Sequence, residues 1–505
     1  MKISNPVLRG FYPDPSVCKA NGKYYMVCSS FEYFPGVPLF ESEDLVHWTQ
    51  IGHCLTRSTQ VDLERINSSG GVFAPTIRYH EGRFYMVTTN DTYHKNFYVY
   101  TDDIYGEWSE PVFVDQGGID PSLFFEDGKA YFMSNGSEDG KGCIFQCEIN
   151  IATGERLTES KPIWKGNGGR YLESPHLFHI GEWYYITAAE GGTEYGHMIT
   201  YARGKSPYGP FESYPLNPVV TNRDLGGHQS CIQGIGHGDL VQTDDGSTFI
   251  LCLGFRQEGM WMPFHHLGRE VFLVPVQWQE DGWFTAGVNG TVEAEMEMNL
   301  NAAGEDTCYD VSFEKLGADS LRWCHLRAYD KENYQFTENG VNLRGNHYTL
   351  DDVDAPTFLG VRQSEFDTTL DITVGGNSPE AGITFYLCED HHYDLYLTQK
   401  DGVKKAELRL TTGDAQCVKA SKALGEGQQE VSFHVESKGE FYTFFAELAG
   451  ESVELGKART KYLSSEVAGG FTGTVMAMYA INPQEDKDAW GTFRDLEWTM
   501  RKWVD

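Results

Sequence analysis

The chain has 505 residues, 14% of them aromatic, with 55 glycines, a mix that favours strands and tight turns and a length that exceeds one compact core. Forty basic against 73 acidic side chains leave a net charge of −33, which repels phosphate backbones and anionic lipid heads, so neither nucleic acid nor a membrane is expected as a partner. A neutral substrate is untouched by that charge, and two domains of an all-β chain are the expectation.

The opening stretch, MKISNPVLRGFYPDPS, has no apolar core of signal-peptide length, and no later run approaches the ~20 apolar residues of a membrane span. Eleven cysteines, an odd number at irregular spacing, argue for reduced thiols in a cytoplasm rather than a disulfide frame. Cys143 and Cys147 fall on one face of a strand with no second pair to complete a zinc site, and read as buried thiols.

A repeat organises the first 300 residues. DPSVCKANGKYYMV (14–27), APTIRYHEGRFYMV (74–87), DPSLFFEDGKAYFM (120–133) and SPHLFHIGEWYYIT (174–187) share a proline, an aliphatic two residues on, a central glycine and an aromatic ten residues after the proline. HGDLVQTDDGSTFI (237–250) fits the same frame with Gly238 at the proline position. Each copy reads as a β-hairpin, and markers such as SEDLVHWTQIG and TDDIYGEWSEP read as the turn and outer strands that follow. Five four-stranded units predict a five-bladed β-propeller over residues 1–300.

In that architecture the first strand of every unit lines the central axis, so matched repeat positions converge. The first position holds Asp14, Ala74, Asp120, Ser174 and His237, with Glu173 one residue before the fourth copy. Asp14 is flanked by Pro13 and Pro15, which preset φ on either side of it. His237 reads equally as a satisfied core histidine, a hydrogen-bond partner of the acids, or a ligand to an axial cation.

The polar stretch MNLNAAGEDT (298–307) reads as a linker. Beyond it, TTLDITV, GITFYLCE, YDLYLTQ, AELRLTT and YTFFAEL alternate with turns and predict an antiparallel, concanavalin A-like β-sandwich over residues 306–505. A packing role is expected for it, because its tryptophans form no planar row.

Convergent carboxylates in an aromatic-lined pocket suit hydrolysis of a glycosidic bond: one acid protonates the leaving oxygen, and a carboxylate activates water. A further carboxylate raises the acid's pKa or holds it in place. Three like charges at an axis destabilise a fold that has no chemistry to use them, which disfavours a purely sugar-binding propeller.

FYPDPSV, IDPSLFFEDGKAYF, LESPHLF, EGGTEYGH and IQGIGHGDLV together resemble the motifs of glycoside hydrolase family 43, and with LGREVFLVPVQW and the sandwich they resemble its two-domain β-xylosidase and α-L-arabinofuranosidase branch. The resemblance implies an inverting exo-hydrolase that releases terminal β-D-xylosyl or α-L-arabinofuranosyl units from oligosaccharides. It implies that Asp14 is the general base, Asp120 the residue that tunes and orients, and Glu173 the general acid. It implies sugar contacts from Arg269, Phe31 and Phe73, and an approach of Phe471 from the sandwich. No cofactor is required, although in some members a calcium ion neighbours the histidine that His237 matches; homo-oligomers are common in the family. Phe73 stands where many xylosidases of this branch have Trp, a departure shared with arabinofuranosidase-rich relatives. A β-fructosidase of the related clan should show NDPNG where this chain has PDPSV, and Arg where it has Ile119.

Overall fold

Three of the repeated hairpins turn over two residues, Asn21-Gly22, Glu81-Gly82 and Asp127-Gly128, between the paired residues Ala20/Lys23, His80/Arg83 and Glu126/Lys129. Both turn residues in each have positive φ, from 48° to 86°. A type I′ turn needs that backbone at both places, and glycine takes the second at no steric cost. The hairpins anticipated from the repeat form where expected in the computed structural model, which describes every residue except 227, 228, 260, 305, 306, 401 and 503–505.

Each hairpin opens a four-stranded antiparallel sheet whose strands are ordered as in the chain. The sheets begin at Ser16–Ala20, Thr76–His80, Ser122–Glu126, Glu173–Ile180 and Ile232–Gln242. These inner strands contact one another in order, and the fifth returns to the first, closing a ring. Apolar side chains fill the gaps between successive sheets: Ile77 and Phe84 meet Cys18 and Ala20, and Phe132 and Leu123 meet Val87. Cys143 and Cys147 are free thiols buried in Lys141–Ile149, as their spacing suggests. The N-terminal strand Lys2–Ser4 pairs with Glu295–Glu297, fastening the two ends of the ring.

The second unit stacks an eight-stranded sheet on a six-stranded one, all antiparallel. Leu370, Phe433, Phe444 and Trp498 from one meet Ile383, Leu395, Leu408 and Met478 from the other. Val431–Lys438 alternates buried and exposed, as a strand with one wet face should. Thr357–Arg362 and Val475–Ile481 are buried throughout, because their outer face meets the ring: Phe358, Val475 and Tyr479 pack with Phe11, Phe31 and Tyr33.

Polar contacts also cross the junction. His325–Leu326 pairs with Tyr33–Phe34 of the ring. Arg256 bridges Glu270 of the ring and Glu365 of the sandwich, all at most 1% exposed, and Arg9 joins Glu365. Removing one member would strand a buried charge, at a cost of about 3–5 kcal/mol. Among the described residues no helix or strand lies between Glu297 and Val311, where a polar linker is expected. The expected bounds of the second domain, residues 306 and 505, lie outside the described residues.

Candidate active site

Four of the five residues at the first repeat position share one unusual backbone state. Asp14, Asp120, Ser174 and His237 have φ of 57°, 52°, 53° and 50°. L-residues adopt that left-handed region at a cost of about 1–3 kcal/mol each, and non-glycine residues held there cluster at functional sites. Proline follows three of the four, and the residue before proline is kept out of the right-handed helical well. Of the four, Asp14, Asp120 and His237 line the mouth of the ring, while the Ser174 hydroxyl lies 3.5 Å from His176 Nε2.

Three carboxyls meet there in different electrostatic states. Asp14 is buried, which alone would raise its pKa, but Arg269, His237 and Ser29 outweigh burial and hold it below the ordinary value. The Ser29 hydroxyl donates to Oδ2, Arg269 Nη1 donates to Oδ1 at 3.0 Å, and His237 Nδ1 lies 3.7 Å from Oδ1. Glu173 is pushed up to about 7 by burial first and by the Asp14 charge second, against a pull from Arg269. Asp120 is likewise raised well above the ordinary value, by burial, then Glu173, then Asp14. One carboxylate that stays ionised thus faces two that resist ionising.

Arg269 is held in place by more than its ion pair. Nη1 also donates to Thr193 Oγ1 at 2.6 Å, and Nη2 to the Phe471 carbonyl at 3.3 Å. The surface pairing with Glu270 that adjacency offers does not form, since Glu270 is taken by Arg256. The guanidinium lies 5.8 and 5.7 Å from the ring centres of Phe31 and Phe471. Phe31 stacks on Phe471 at 6.0 Å and leans on Phe73 at 5.9 Å. Asp14, Asp120, Glu173, His237, Arg269, Phe31, Phe73 and Phe471 therefore surround one small cavity of about 90 Å³, while Ser174, at the same repeat position, does not line it.

Phe471 reaches the cavity because the sandwich loop lies directly on the ring. Its N–H donates to Ser69 Oγ at 2.8 Å, and Thr474 N donates to the His266 carbonyl at 2.8 Å. Gly473 allows the approach: a Cβ there would stand 2.3 Å from the Leu267 carbonyl oxygen. Ser29, Thr193 and His197 belong to the site and were not singled out by sequence. His197, its pKa lowered to about 3 chiefly by burial, lines the wall as a neutral imidazole.

A second polar tier lies two residues further along each inner strand: Ser16, Thr76, Ser122, His176 and Asp239, none more than 3% exposed. Arg78 reaches into it. Nη1 donates to Asp239 Oδ2 at 2.8 Å, and Nη2 to Asp239 Oδ1 at 3.2 Å and to His176 Nδ1 at 2.9 Å. Ser16 Oγ and the Val17 N–H complete the Asp239 carboxylate at 2.6 and 3.1 Å. Calcium seeks six to eight oxygen ligands. Around His237 the oxygens of Asp14 and Asp239 are already engaged by Ser29, Arg269, Ser16 and Arg78, a donor set that does not fit that ion. Among the described residues, three metal-type donors come close together at Cys388, Asp390 and His391, in a sandwich hairpin that contributes none of the expected site residues.

Residues 3–284 match glycosyl hydrolases family 43, and residues 312–499 match the beta xylosidase C-terminal concanavalin A-like domain. A non-reducing end alpha-L-arabinofuranosidase of Bacteroides ovatus is 39% identical over 98% of this chain and 95% of its own length. A xylosidase/arabinosidase of Butyrivibrio fibrisolvens is 33% identical over 96% of this chain and 97% of its own. The solved structure of the xyloglucan-locus family 43 protein B of Bacteroides ovatus superposes with a TM-score of 0.91 at 36% identity, covering 99% of this chain and 100% of that one. The chain belongs to glycosyl hydrolase family 43 and is a glycoside hydrolase.

Proposed function

We propose that this family 43 enzyme removes single terminal pentoses from the non-reducing ends of short oligosaccharides with inversion, taking α-L-arabinofuranosyl ends ahead of β-D-xylosyl ones. The observation that carries the reading is the split of the three carboxyls, Asp14 held ionised and Glu173 held protonated to about pH 7, around one cavity of about 90 Å³. Glu173 gives its proton to the glycosidic oxygen as the bond from that oxygen to the anomeric carbon breaks. Asp14 takes a proton from the water that attacks the opposite face of the same carbon. The step leaves Glu173 ionised and Asp14 protonated, and exchange with solvent resets both. Asp120, itself reluctant to ionise, orients Glu173 and adds no second charge to the base.

Arg269 offers its guanidinium to the sugar hydroxyls from a position already shared with Asp14, which ties recognition of the sugar to the placement of the base. The preference for arabinofuranose is supported by Phe73 at the cavity wall and by the name of the Bacteroides ovatus relative. We read the five sheets as the blades of a five-bladed propeller, residues 1–300 as the catalytic domain, and residues 306–505 as an accessory domain that lends Phe471. A cavity that admits one sugar suits short imported chains, and we place the enzyme in the cytoplasm on that ground. Chromogenic α-L-arabinofuranoside, β-D-xyloside and β-D-fructoside assays test the reading; turnover of the fructoside alone, or of none, overturns it. Anomeric NMR of the first product should show inversion, and retention would remove Asp14 from the role of base.

A further inference from the structure

Beneath the cavity, in the second tier of the axis, stands a cation that the proposed chemistry does not use. Arg78 belongs to the second inner strand, yet it crosses the axis to meet Asp239 of the fifth and His176 of the fourth. Arginine can only donate, so the 2.9 Å contact makes His176 Nδ1 an acceptor and the imidazole neutral. His176 in turn stands edge-on to His237, ring centres 6.4 Å apart, and His237 Nδ1 is 3.7 Å from Asp14. On the other side, Asp239 holds Ser16 Oγ and the Val17 N–H, at the start of the strand that Asp14 leads into. Arg78 therefore touches the surroundings of the base by two routes, one through imidazoles and one through backbone.

We infer that the Arg78 guanidinium is the built-in axial cation of this enzyme, doing with Asp239 what a bound metal ion would do at the ring's axis, and that it is a positioning residue for Asp14 and His237. A divalent ion beside His237 would find Asp14 and Asp239 already engaged and would be repelled by a fixed positive charge on the same axis. Removing the guanidinium leaves Asp239 and His176 facing a void of cation size, so the variant should acquire the cation dependence that the native chain lacks. The inference rests on the role proposed for Asp14 only in its kinetic arm; metal content and melting need no substrate.

Wild-type protein dialysed against a chelator should retain far less than one calcium per chain by elemental analysis, with a melting temperature that added calcium does not move. Arg78→Ala should lose about 10- to 100-fold in kcat with little change in KM, as a displaced base would cause. It should gain melting temperature from calcium or millimolar guanidinium, while Arg78→Lys recovers most of the turnover. Should Arg78→Ala fail to fold, the neutral pair Arg78→Met with Asp239→Asn should fold, ignore calcium and keep the depressed kcat. One tightly held calcium per wild-type chain, lost together with several degrees of melting temperature on chelation, overturns the inference. So does wild-type kcat in Arg78→Ala or, should that variant not fold, in the Arg78→Met, Asp239→Asn pair.

Discussion

The mouth and the floor of the ring's axis are built from the same five strands, two residues apart, and, Asp14 aside, treat buried carboxylates in opposite ways. On the floor, Asp239 receives a bidentate guanidinium, a hydroxyl and an N–H, and its pKa falls despite full burial. At the mouth, Glu173 and Asp120 are buried beside the Asp14 charge with too few donors, and their pKa values rise. One tier spends its polar groups on compensation and holds the strands together. The other is left under-compensated, and that deficit is what makes a proton available for chemistry.

The largest break in the comparison comes from neutralising the mouth. Asp14→Asn or Glu173→Gln should lower turnover of an unactivated oligosaccharide by about 10³- to 10⁴-fold, near the upper range for general acid–base groups. Glu173→Gln should cost far less on an aryl glycoside with a good leaving group; an equal, small loss on both substrates would take Glu173 out of the acid role. In the wild type, kcat/KM should fall as pH rises through about 7, where Glu173 gives up its proton.

Next in size is the floor. Asp239→Asn leaves Arg78 buried without its counter-charge and should destabilise the fold by about 3–5 kcal/mol in denaturant titrations. A variant as stable as the wild type would mean that the pair is solvated and the tier is not the structural one.

The sharpest contrast is one of sign. Glu173 titrates at about 7 folded against 4.5 for an ordinary glutamate, so between those values the folded chain holds a proton that the unfolded chain has lost. Stability therefore falls as pH rises across that window, by something on the order of 3 kcal/mol. Glu173→Gln should accordingly raise the melting temperature at pH 8 and leave it nearly unchanged at pH 4, while Asp239→Asn lowers it at pH 8. Two losses of equal sign at pH 8 would erase the distinction between the tiers.

The smallest effect belongs to the sandwich loop that carries Phe471. Phe471→Ala, at a residue 42% exposed, should raise KM by about threefold to tenfold with little change in kcat, the worth of one aromatic contact. A fall in kcat alone would point instead to a shift of Arg269, whose Nη2 rests on the Phe471 carbonyl.

What could be read from the sequence follows the repeat. Matched copies bring Asp14, Asp120, Glu173 and His237 together without any contact information, and glycine at two-residue turns makes the hairpins readable. The same frame, moved two residues along, yields the floor, but Ser16, Thr76 and Ser122 look like ordinary strand residues until Asp239 is seen among them. Arg78 lies off that register and arrives by side-chain length, which repeat alignment does not encode. Ser29 and Thr193 sit on loops whose approach to Asp14 and Arg269 depends on tertiary packing. The left-handed φ at Asp14 runs against the extended preference that a following proline suggests, so sequence points to stiffness there and not to its form. The junction left one unread sign: VMAMYAI at Val475–Ile481 is apolar on both faces, as only a strand covered on both sides can be.

The carbonyl of Phe471 lies against Arg269, 202 residues upstream. At about 5–20 residues per second, a ribosome makes every acid and the arginine of the cavity some 10 to 40 seconds before the residue that closes it. The order of synthesis thus makes the proton-transfer groups first and the residue that covers them last, so the pocket is completed only as the final strands emerge.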